Sequence, residues 1–252
     1  MISISIIGTG NVAQHLAKHL SKAENIILSQ IYGRSSSQFS EFNNYAEFIS
    51  DFNQLKPADV LIIAVSDDAI LTVSNKIVNF SGIVVHTSGS TAMHVLSKHK
   101  NFGVFYPLQT FTQGRELDFK EIPICLEASN TEVLETLKSV AMVLSKNTVE
   151  LDSEKRSKMH LAAVYANNFT NHILMQTDVI CQNNEVSFHL LKPLMKETIE
   201  KAFTLGPLNA QTGPAKRKDS NTINYQVESL KTENQKEIYK VLTRSILETY
   251  GK

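Results

Sequence analysis

Immediately after an apolar run from Ile2 to Ile7, the chain places Gly8-Thr9-Gly10-Asn11-Val12-Ala13, and a helical pattern follows at once. A G-x-G-x-x-A loop wedged between a strand and a helix constrains the fold more than any other feature of this sequence. It calls for a strand–helix–strand unit with parallel strands. Gly8 allows the tight turn, Gly10 lets the backbone approach a pyrophosphate at the helix N-terminus, and Ala13 permits close helix–strand packing. The first half of the chain repeats the same alternation. Strands are expected at Ile26 to Tyr32, Ala46 to Ile49, Asp59 to Val65, Ile83 to His86, Gly103 to Tyr106, Ile122 to Leu126 and Thr148 to Leu151. Helices are expected at Asn11 to Ser21, near Thr91 to Lys98 and at Asn130 to Leu144, the last with Val133, Leu134, Leu137 and Val140 or Ala141 inward. The continuous apolar run of Asp59 to Val65 suits a central parallel strand covered on both faces.

Beyond Leu151 the strand pattern ends. Asp152 to about Asn183 reads as one long helix, roughly 45 Å at the standard rise per residue. Further helical stretches are expected near Ser187 to Leu205 and Asn221 to Tyr250, with Gly206-Pro207 and Gly213-Pro214 as loops between them. The fold expectation is α/β: a Rossmann-like, mostly parallel sheet domain over residues 1–151, then an all-helical domain over 152–252. The chain carries 25 Lys plus Arg against 25 Asp plus Glu, so it lacks the basic excess that nucleic acid or an anionic membrane would demand. Cys125 and Cys181 are too few and too far apart for a disulfide framework or a cysteine zinc site, and no metal is expected. Met159 to Thr177 is uncharged, but His160, Asn167, Asn168, Asn171, His172 and Gln176 are costly in hydrocarbon, so this helix belongs inside protein. The opening residues have no basic n-region and no small-residue cleavage site, and the expectation is a cytoplasmic protein.

The glycine loop, in its strand–loop–helix context, assigns Gly8, Thr9, Gly10, Asn11 and Val12 to a dinucleotide; the other reading is an ordinary structural turn. The end of the second strand chooses between the two nicotinamide cofactors. An NAD site would place an acid there for the ribose hydroxyls, whereas this strand runs out as Tyr32-Gly33-Arg34-Ser35-Ser36-Ser37. Arg34 can pair with a 2′-phosphate, and Ser35 and Ser36 can donate to it, so NADP is the expected cofactor; the other reading is a solvated arginine in a serine-rich turn. Ligands of open parallel sheets sit outside the carboxyl ends of the strands. Val65, Ser66 and Asp67 after one strand and Ser88 after the next are assigned to the nicotinamide end. Ser66 equally reads as an N-cap with Asp67 and Asp68 favouring the helix dipole, and Ser88 and Ser90 as caps of the following helix. His86 reads either as a strand-end histidine with a satisfied partner or as a proton donor.

On the long helix, Ala162, Ala166, Phe169, Ile173 and Ile180 form one apolar stripe, opposed by His160, Val164, Asn167 or Asn168, Asn171 and Asp178. The second face is amide-rich rather than charged, which suits a cleft or a packed surface. His160 is the candidate general acid for a carbonyl or imine, and Asn168, or its neighbour Asn167, would orient the substrate. The alternative is a polar network that only positions the helix. Gln211 to Asp219 concentrates three bases in a Gly/Pro turn, which suits either an anion or solvent.

Taken together, these stretches resemble a known family in which an N-terminal Rossmann-like domain precedes a C-terminal domain of unknown function 2520, related to pyrroline-5-carboxylate reductase and to deazaflavin (coenzyme F-420)-dependent NADP oxidoreductases. The resemblance is carried by Ile6 to Ala13, Tyr32 to Ser36, His86 to Ser90, Phe105 to Phe111, His160 to His172 and Thr212 to Asp219. The last stretch looks like a T-G-P-x-x-R-x-D pattern with Gly before the Asp, where this chain has Lys218. The Lys-x-x-x-Asn arrangement of hydroxyacid dehydrogenases is missing, because Ala162 follows Lys158 at that spacing. The resemblance implies a Rossmann fold, NADP binding and a helical dimerisation domain. The long helix carries more apolar stripe than a small neighbouring domain can cover, so a homodimer through these helices is expected. The leading functional expectation is an oxidoreductase moving hydride between NADP(H) and a small carbonyl or imine compound. The alternatives are a non-catalytic nucleotide-binding regulatory or interaction protein and a deazaflavin:NADP oxidoreductase.

Overall fold

The computed structural model describes residues 1–34 and 42–251. The chain divides into two compact units, Met1–Asn167 and Asn168–Lys252. The first unit is built on an eight-stranded sheet in the order β3-β2-β1-β4-β5-β6-β7-β8. Its strands are β1 (Ile2–Ile7), β2 (Ile26–Tyr32), β3 (Glu47–Ile49), β4 (Val60–Ile63), β5 (Ile83–His86), β6 (Phe102–Pro107), β7 (Ile124–Ala128) and β8 (Thr148–Glu150). Neighbouring strands run parallel except β6 and β7, which are antiparallel. The helices are α1 (Asn11–Leu20), α2 (Ile70–Lys76), α3 (Thr131–Leu144) and α4 (Ser153–Ala163).

The apolar run of β4 is explained by a core on each side of the sheet. Val60 and Ile62 join Ile4, Ile6, Leu16, Leu20, Leu137 and Val140 on one face. Leu61 and Ile63 join Ile7, Ile70, Ile77, Val84 and Leu96 on the other. Successive strand residues point to opposite faces, so only a strand buried on both sides stays apolar throughout. Each such side chain contributes about 1.5–3 kcal/mol on burial. α3 starts where Asn130 accepts from the Val133 amide at 3.0 Å and buries Val133, Leu137, Val140, Ala141 and Leu144.

One expected helix is shorter than its pattern. Instead of a helix near Thr91 to Lys98, a single 3-10 turn forms at Met93–Leu96. The residues before it are held in a serine-built turn, with the Ser88 hydroxyl accepting from the amides of Ser90 (3.2 Å) and Thr91 (2.9 Å).

The second unit contains α5 (Thr170–Asn183), α6 (Lys192–Leu205), the short α7 (Pro207–Ala210), α8 (Ser220–Ser229) and α9 (Glu233–Tyr250). The chain stays helical from α4 into α5, but Val164–Phe169 winds as a π-helix. A π turn carries more residues per turn than the α-helix, so positions after it are rotated relative to those before it. The two stripes drawn through His160 and Ile180 with one constant period are therefore not continuous faces. The expected single helix over Asn221 to Tyr250 is also two helices. Leu230 turns extended at φ −76° and ψ 136°, and the Thr232 hydroxyl restarts the helix by accepting from the Gln235 amide at 3.2 Å. Thr232-Glu233-Asn234-Gln235 is a capping sequence of the Thr-x-x-Gln type, a signal present in the chain itself.

Among its described residues the second unit buries only Cys181, Ala210 and Ala215 of its hydrophobic side chains, while Phe203 is 89% exposed and Leu190, Leu194, Leu208 and Tyr225 are also exposed. Among the described residues no helix is long and apolar enough to cross a membrane.

Candidate active site

The strand order reverses at the β1–β4 pair, so the crevice of the sheet opens at the carboxyl ends of those strands. Gly8 leaves β1 there at φ +129°, and a Cβ on it would lie 2.0 Å from the Ala64 carbonyl oxygen. Only glycine fits both the conformation and the space. Gly10 occupies the N-cap of α1 at φ −77°, where nothing lies within 4 Å of the position of a Cβ. No side chain caps this helix start and its first turn holds no acid. Its leading amides and positive dipole end therefore face open space beside a bare backbone, the arrangement a pyrophosphate requires. Thr9 packs where a side chain on Gly33 would collide, 2.6 Å from the Thr9 methyl and 2.5 Å from Phe48. Gly33 is thus a further close-packed glycine of the site, where a side chain would have to displace Phe48 and Thr9, legible in sequence only as a strand-end residue.

Other residues assigned to the cofactor differ in what they do. The Asn11 amide donates to the Phe111 carbonyl at 2.9 Å, tying α1 to the loop after β6. Val12 is half-buried against the main core. Arg34 is exposed at the end of β2, and Ser35 and Ser36 lie outside the described residues. Val65 packs on the second core. Ser66 holds the N-cap position of the turn Asp67–Ala69, but its hydroxyl caps nothing among the described residues. Asp67 reaches across to the next loop and accepts from the Ser90 hydroxyl at 2.5 Å, an ordering role that helix-dipole reasoning does not supply.

His86, at the end of β5, is fully buried; its Nδ1 accepts from the Ser88 amide at 3.2 Å. Burial, helped by the nearby Arg156 charge, pushes its pKa down to about 4. The ring is neutral in the folded protein at neutral pH, whereas an unfolded chain protonates it near 6.5. Its stability contribution is present above about pH 6.5 and is lost as the pH falls toward 4, by about 3 kcal/mol in all. Unfolding free energies measured from pH 7 to 4 should show this slope, and His86→Gln should flatten it. An unchanged slope would rule out His86 as its source.

The loop after β5 also builds a seat for His160. The Tyr106 hydroxyl, at the end of β6, lies 3.0 Å from His160 Nδ1, and the two rings meet edge to face with centroids 5.9 Å apart. A Cβ on Gly89 would sit 2.6 Å from Nδ1 and 2.8 Å from Tyr106 Cζ, so the absent side chain is what admits the imidazole. His160, Gly89, Ser88, Ser90 and Asp67 thereby cluster above the ends of β4 to β6. Asn168 belongs to the second unit, in its π-helical first residues.

One turn before His160, the Arg156 side chain is buried. It pairs with Glu127 from β7 and donates to the Thr91 carbonyl at 2.5 Å and to the Ser153 hydroxyl at 3.3 Å. Glu127 in turn accepts from the Ser153 amide (3.0 Å) and hydroxyl (2.9 Å). This network pins the start of α4 to β7 and to the loop carrying Gly89. Sequence reasoning missed it because a lone arginine among Lys and Glu reads as a solvated helix face; a glutamate inside a short apolar strand was the available signal.

In the second unit, Lys218 adopts φ +58°. This is the left-handed conformation that glycine takes freely, which explains the Gly of the related pattern; a lysine there costs about 1 kcal/mol. The Lys216 and Lys218 amines donate to the carbonyls of Gln211 (2.8 Å) and Gly251 (2.9 Å). One of the three bases in this loop thus ties the loop to itself and a second ties it to the residue after α9.

Family models match both halves of the chain. Residues 3–87 match the model for NADP oxidoreductase, coenzyme F420-dependent, and residues 122–246 match a domain of unknown function (DUF2520). No curated relative matches. A solved structure from Bacteroides fragilis, provisionally described as an NADP oxidoreductase, is 38% identical over 98% of each chain with a TM-score of 0.91. An imine reductase from Myxococcus stipitatus in complex with NADP+ shares the fold at 12% identity (98% of this chain, 93% of that one, TM-score 0.70). So does pyrroline carboxylate reductase from Plasmodium falciparum with NADP bound, at 14% identity (97% and 98%, TM-score 0.63). With these matches, and with the glycine crevice at the β1–β4 reversal, the chain belongs to the family that joins a Rossmann-like domain of the NADP oxidoreductase type to the domain of unknown function 2520.

Proposed function

We propose that this protein is an NADP-dependent oxidoreductase acting on a small carbonyl or imine compound. The observation that carries the reading is the crevice at Gly8 and Gly10: a strained glycine turn against Ala64, followed by a helix start left bare of any side chain. The family match and the cofactors named for the two distant reductases support it. When bound, the nicotinamide cofactor supplies the hydride. The chain's own residues do the rest. The amides at the start of α1 meet the pyrophosphate, and Arg34 meets the 2′-phosphate. Ser66 and Ser88 line the nicotinamide end. His160 gives a ring proton to the substrate heteroatom as negative charge develops there, and Asn168 orients the substrate.

Parallel titrations with NADPH and NADH, read by cofactor fluorescence, test the cofactor half. NADPH is expected to bind at least about tenfold more tightly, and Arg34→Ala to remove most of that preference, because hydrogen bonds to charged groups contribute about 1.5–3 kcal/mol. Binding of neither cofactor would sink the proposal. Binding without turnover on a panel of carbonyls and imines would favour the regulatory reading instead.

We also propose that the protein works as a homodimer through its helical unit. That unit leaves Phe203, Leu190, Leu194, Leu208 and Tyr225 exposed and buries almost no large apolar side chain of its own, more open apolar surface than a monomer keeps. A second copy of the same helices is the simplest cover, since most soluble oligomers are symmetric pairs. Sedimentation equilibrium at micromolar concentration should give twice the 28.1 kDa chain mass. A single species at the chain mass would overturn the assembly.

A further inference from the structure

We infer that Tyr106 is a positioning residue: its hydroxyl donates to His160 Nδ1 and so holds the neutral imidazole with its proton on Nε2. The consequence for catalysis rests on the reading of His160 as proton donor; the hydrogen-bond assignment rests on geometry alone.

The ring of His160 is gripped from three elements. Tyr106 comes from β6, with its oxygen 3.0 Å from Nδ1. Gly89 comes from the loop after β5, where any side chain would overlap Nδ1 and Cγ at 2.6 and 2.7 Å. α4 supplies the backbone, anchored one turn earlier by the buried Arg156. Tyr106 itself is only 8% exposed and makes no other hydrogen bond among the described residues.

A phenol and an imidazole at this distance can be joined in two ways, and burial decides between them. If Nδ1 carried the proton, it would donate to the phenol oxygen, and the phenolic O–H would be left with no acceptor among the described residues. If the phenol donates, its O–H is satisfied, and the group left without a protein partner is the Nε2–H, which is not among the buried unpaired atoms and so is open to solvent or a ligand. Leaving a buried donor unmade is costly enough to favour the second arrangement by about tenfold or more. Burial also pushes the Tyr106 phenol up to about 12, so it remains a donor at any physiological pH. Nε2 makes no hydrogen bond among the described residues, which leaves its proton available to a ligand. A neutral ring so held offers its Nε2–H as a hydrogen-bond donor to a substrate heteroatom. Outright transfer of a proton takes the imidazolium, in which Nδ1–H donates and the phenol oxygen accepts, and loss of the Nε2 proton returns the neutral ring.

The test uses the full chain labelled with 15N-histidine and two-bond 1H–15N correlation spectra, with the His160 signals assigned by their loss in His160→Gln. In the wild type, neutral His160 should show Nδ1 as the bare acceptor and Nε2 as the protonated nitrogen. Tyr106→Phe keeps the ring and its edge-to-face contact, and should shift both nitrogens toward averaged, mixed-tautomer values. Gly89→Ala, whose methyl would crowd both the imidazole (2.6 Å) and Tyr106 Cζ (2.8 Å) and so part the two rings while keeping the hydroxyl, should do the same and serves if Tyr106→Phe fails to fold. A wild-type spectrum with the proton on Nδ1, or an unchanged pattern in the variants, would overturn the inference. NADPH titration of the same samples keeps the two readings apart. Loss of NADPH binding in the wild type would end the reductase proposal without touching the tautomer result, and a wrong tautomer would leave cofactor binding intact.

Discussion

Glu127→Ala is expected to lower the unfolding free energy by about 3–5 kcal/mol, the range for stripping the partner from a buried charge. The guanidinium of Arg156 is 1% exposed and Glu127 is 15% exposed, so water cannot replace the carboxylate. The remaining partners of Arg156, the Thr91 carbonyl and the Ser153 hydroxyl, are neutral. Ser153 would lose its own acceptor in the same substitution, since both its amide and its hydroxyl donate to Glu127. Arg156→Met should cost less, because the carboxylate it leaves behind keeps the Ser153 donors and some contact with solvent. The double variant should recover part of the loss, because a buried pair replaced as a unit leaves no orphan charge. Urea unfolding followed by far-ultraviolet circular dichroism measures all three. A loss below about 1 kcal/mol for Glu127→Ala would mean the pair is solvated in solution. The same network fixes the start of α4, one turn before His160, so the surviving folded protein should also show a weakened Tyr106–His160 contact.

Gly8→Ala and Gly10→Ala should separate fold from cofactor. At Gly8 the backbone sits at φ +129° and the new methyl would overlap the Ala64 carbonyl at 2.0 Å, in the middle of the parallel sheet. Left-handed strain together with a backbone clash should remove at least about 2–3 kcal/mol of stability and abolish cofactor binding. At Gly10 the backbone is at φ −77° and the methyl meets no protein atom within 4 Å. The change should leave stability within about 1 kcal/mol, the range of an N-cap substitution, while NADPH affinity falls by about tenfold or more. Thermal melts and fluorescence titrations of both variants decide it. Equal NADPH affinity in Gly10→Ala and wild type would place the pyrophosphate elsewhere.

The two-sided core is the part of the fold that local pattern determines most fully. β1, β2 and β5 run from Ile2 to Ile7, Ile26 to Tyr32 and Ile83 to His86, the same limits as expected from their β-branched and apolar residues. Patterns failed where a short-range signal competed with them. The Ser88 hydroxyl holds a turn up to Thr91, after which only a 3-10 turn at Met93–Leu96 forms where a helix was expected, and Thr232 with Gln235 divided one expected helix into two. The π-helix at Val164–Phe169 is a different case, since no residue type in that stretch demands it and a constant helical period carries straight through it.

The glycine loop, the missing acid after β2 and the candidacy of His160 were all legible in the chain, because each depends on residues adjacent in sequence. What the tertiary structure alone decided is the company these residues keep. Gly33 is needed because Thr9 and Phe48 converge on it, Gly89 because His160 and Tyr106 do, and Arg156 is buried because Glu127 is waiting in β7. Contacts between residues dozens of positions apart follow from strand order and packing. No local periodicity records them.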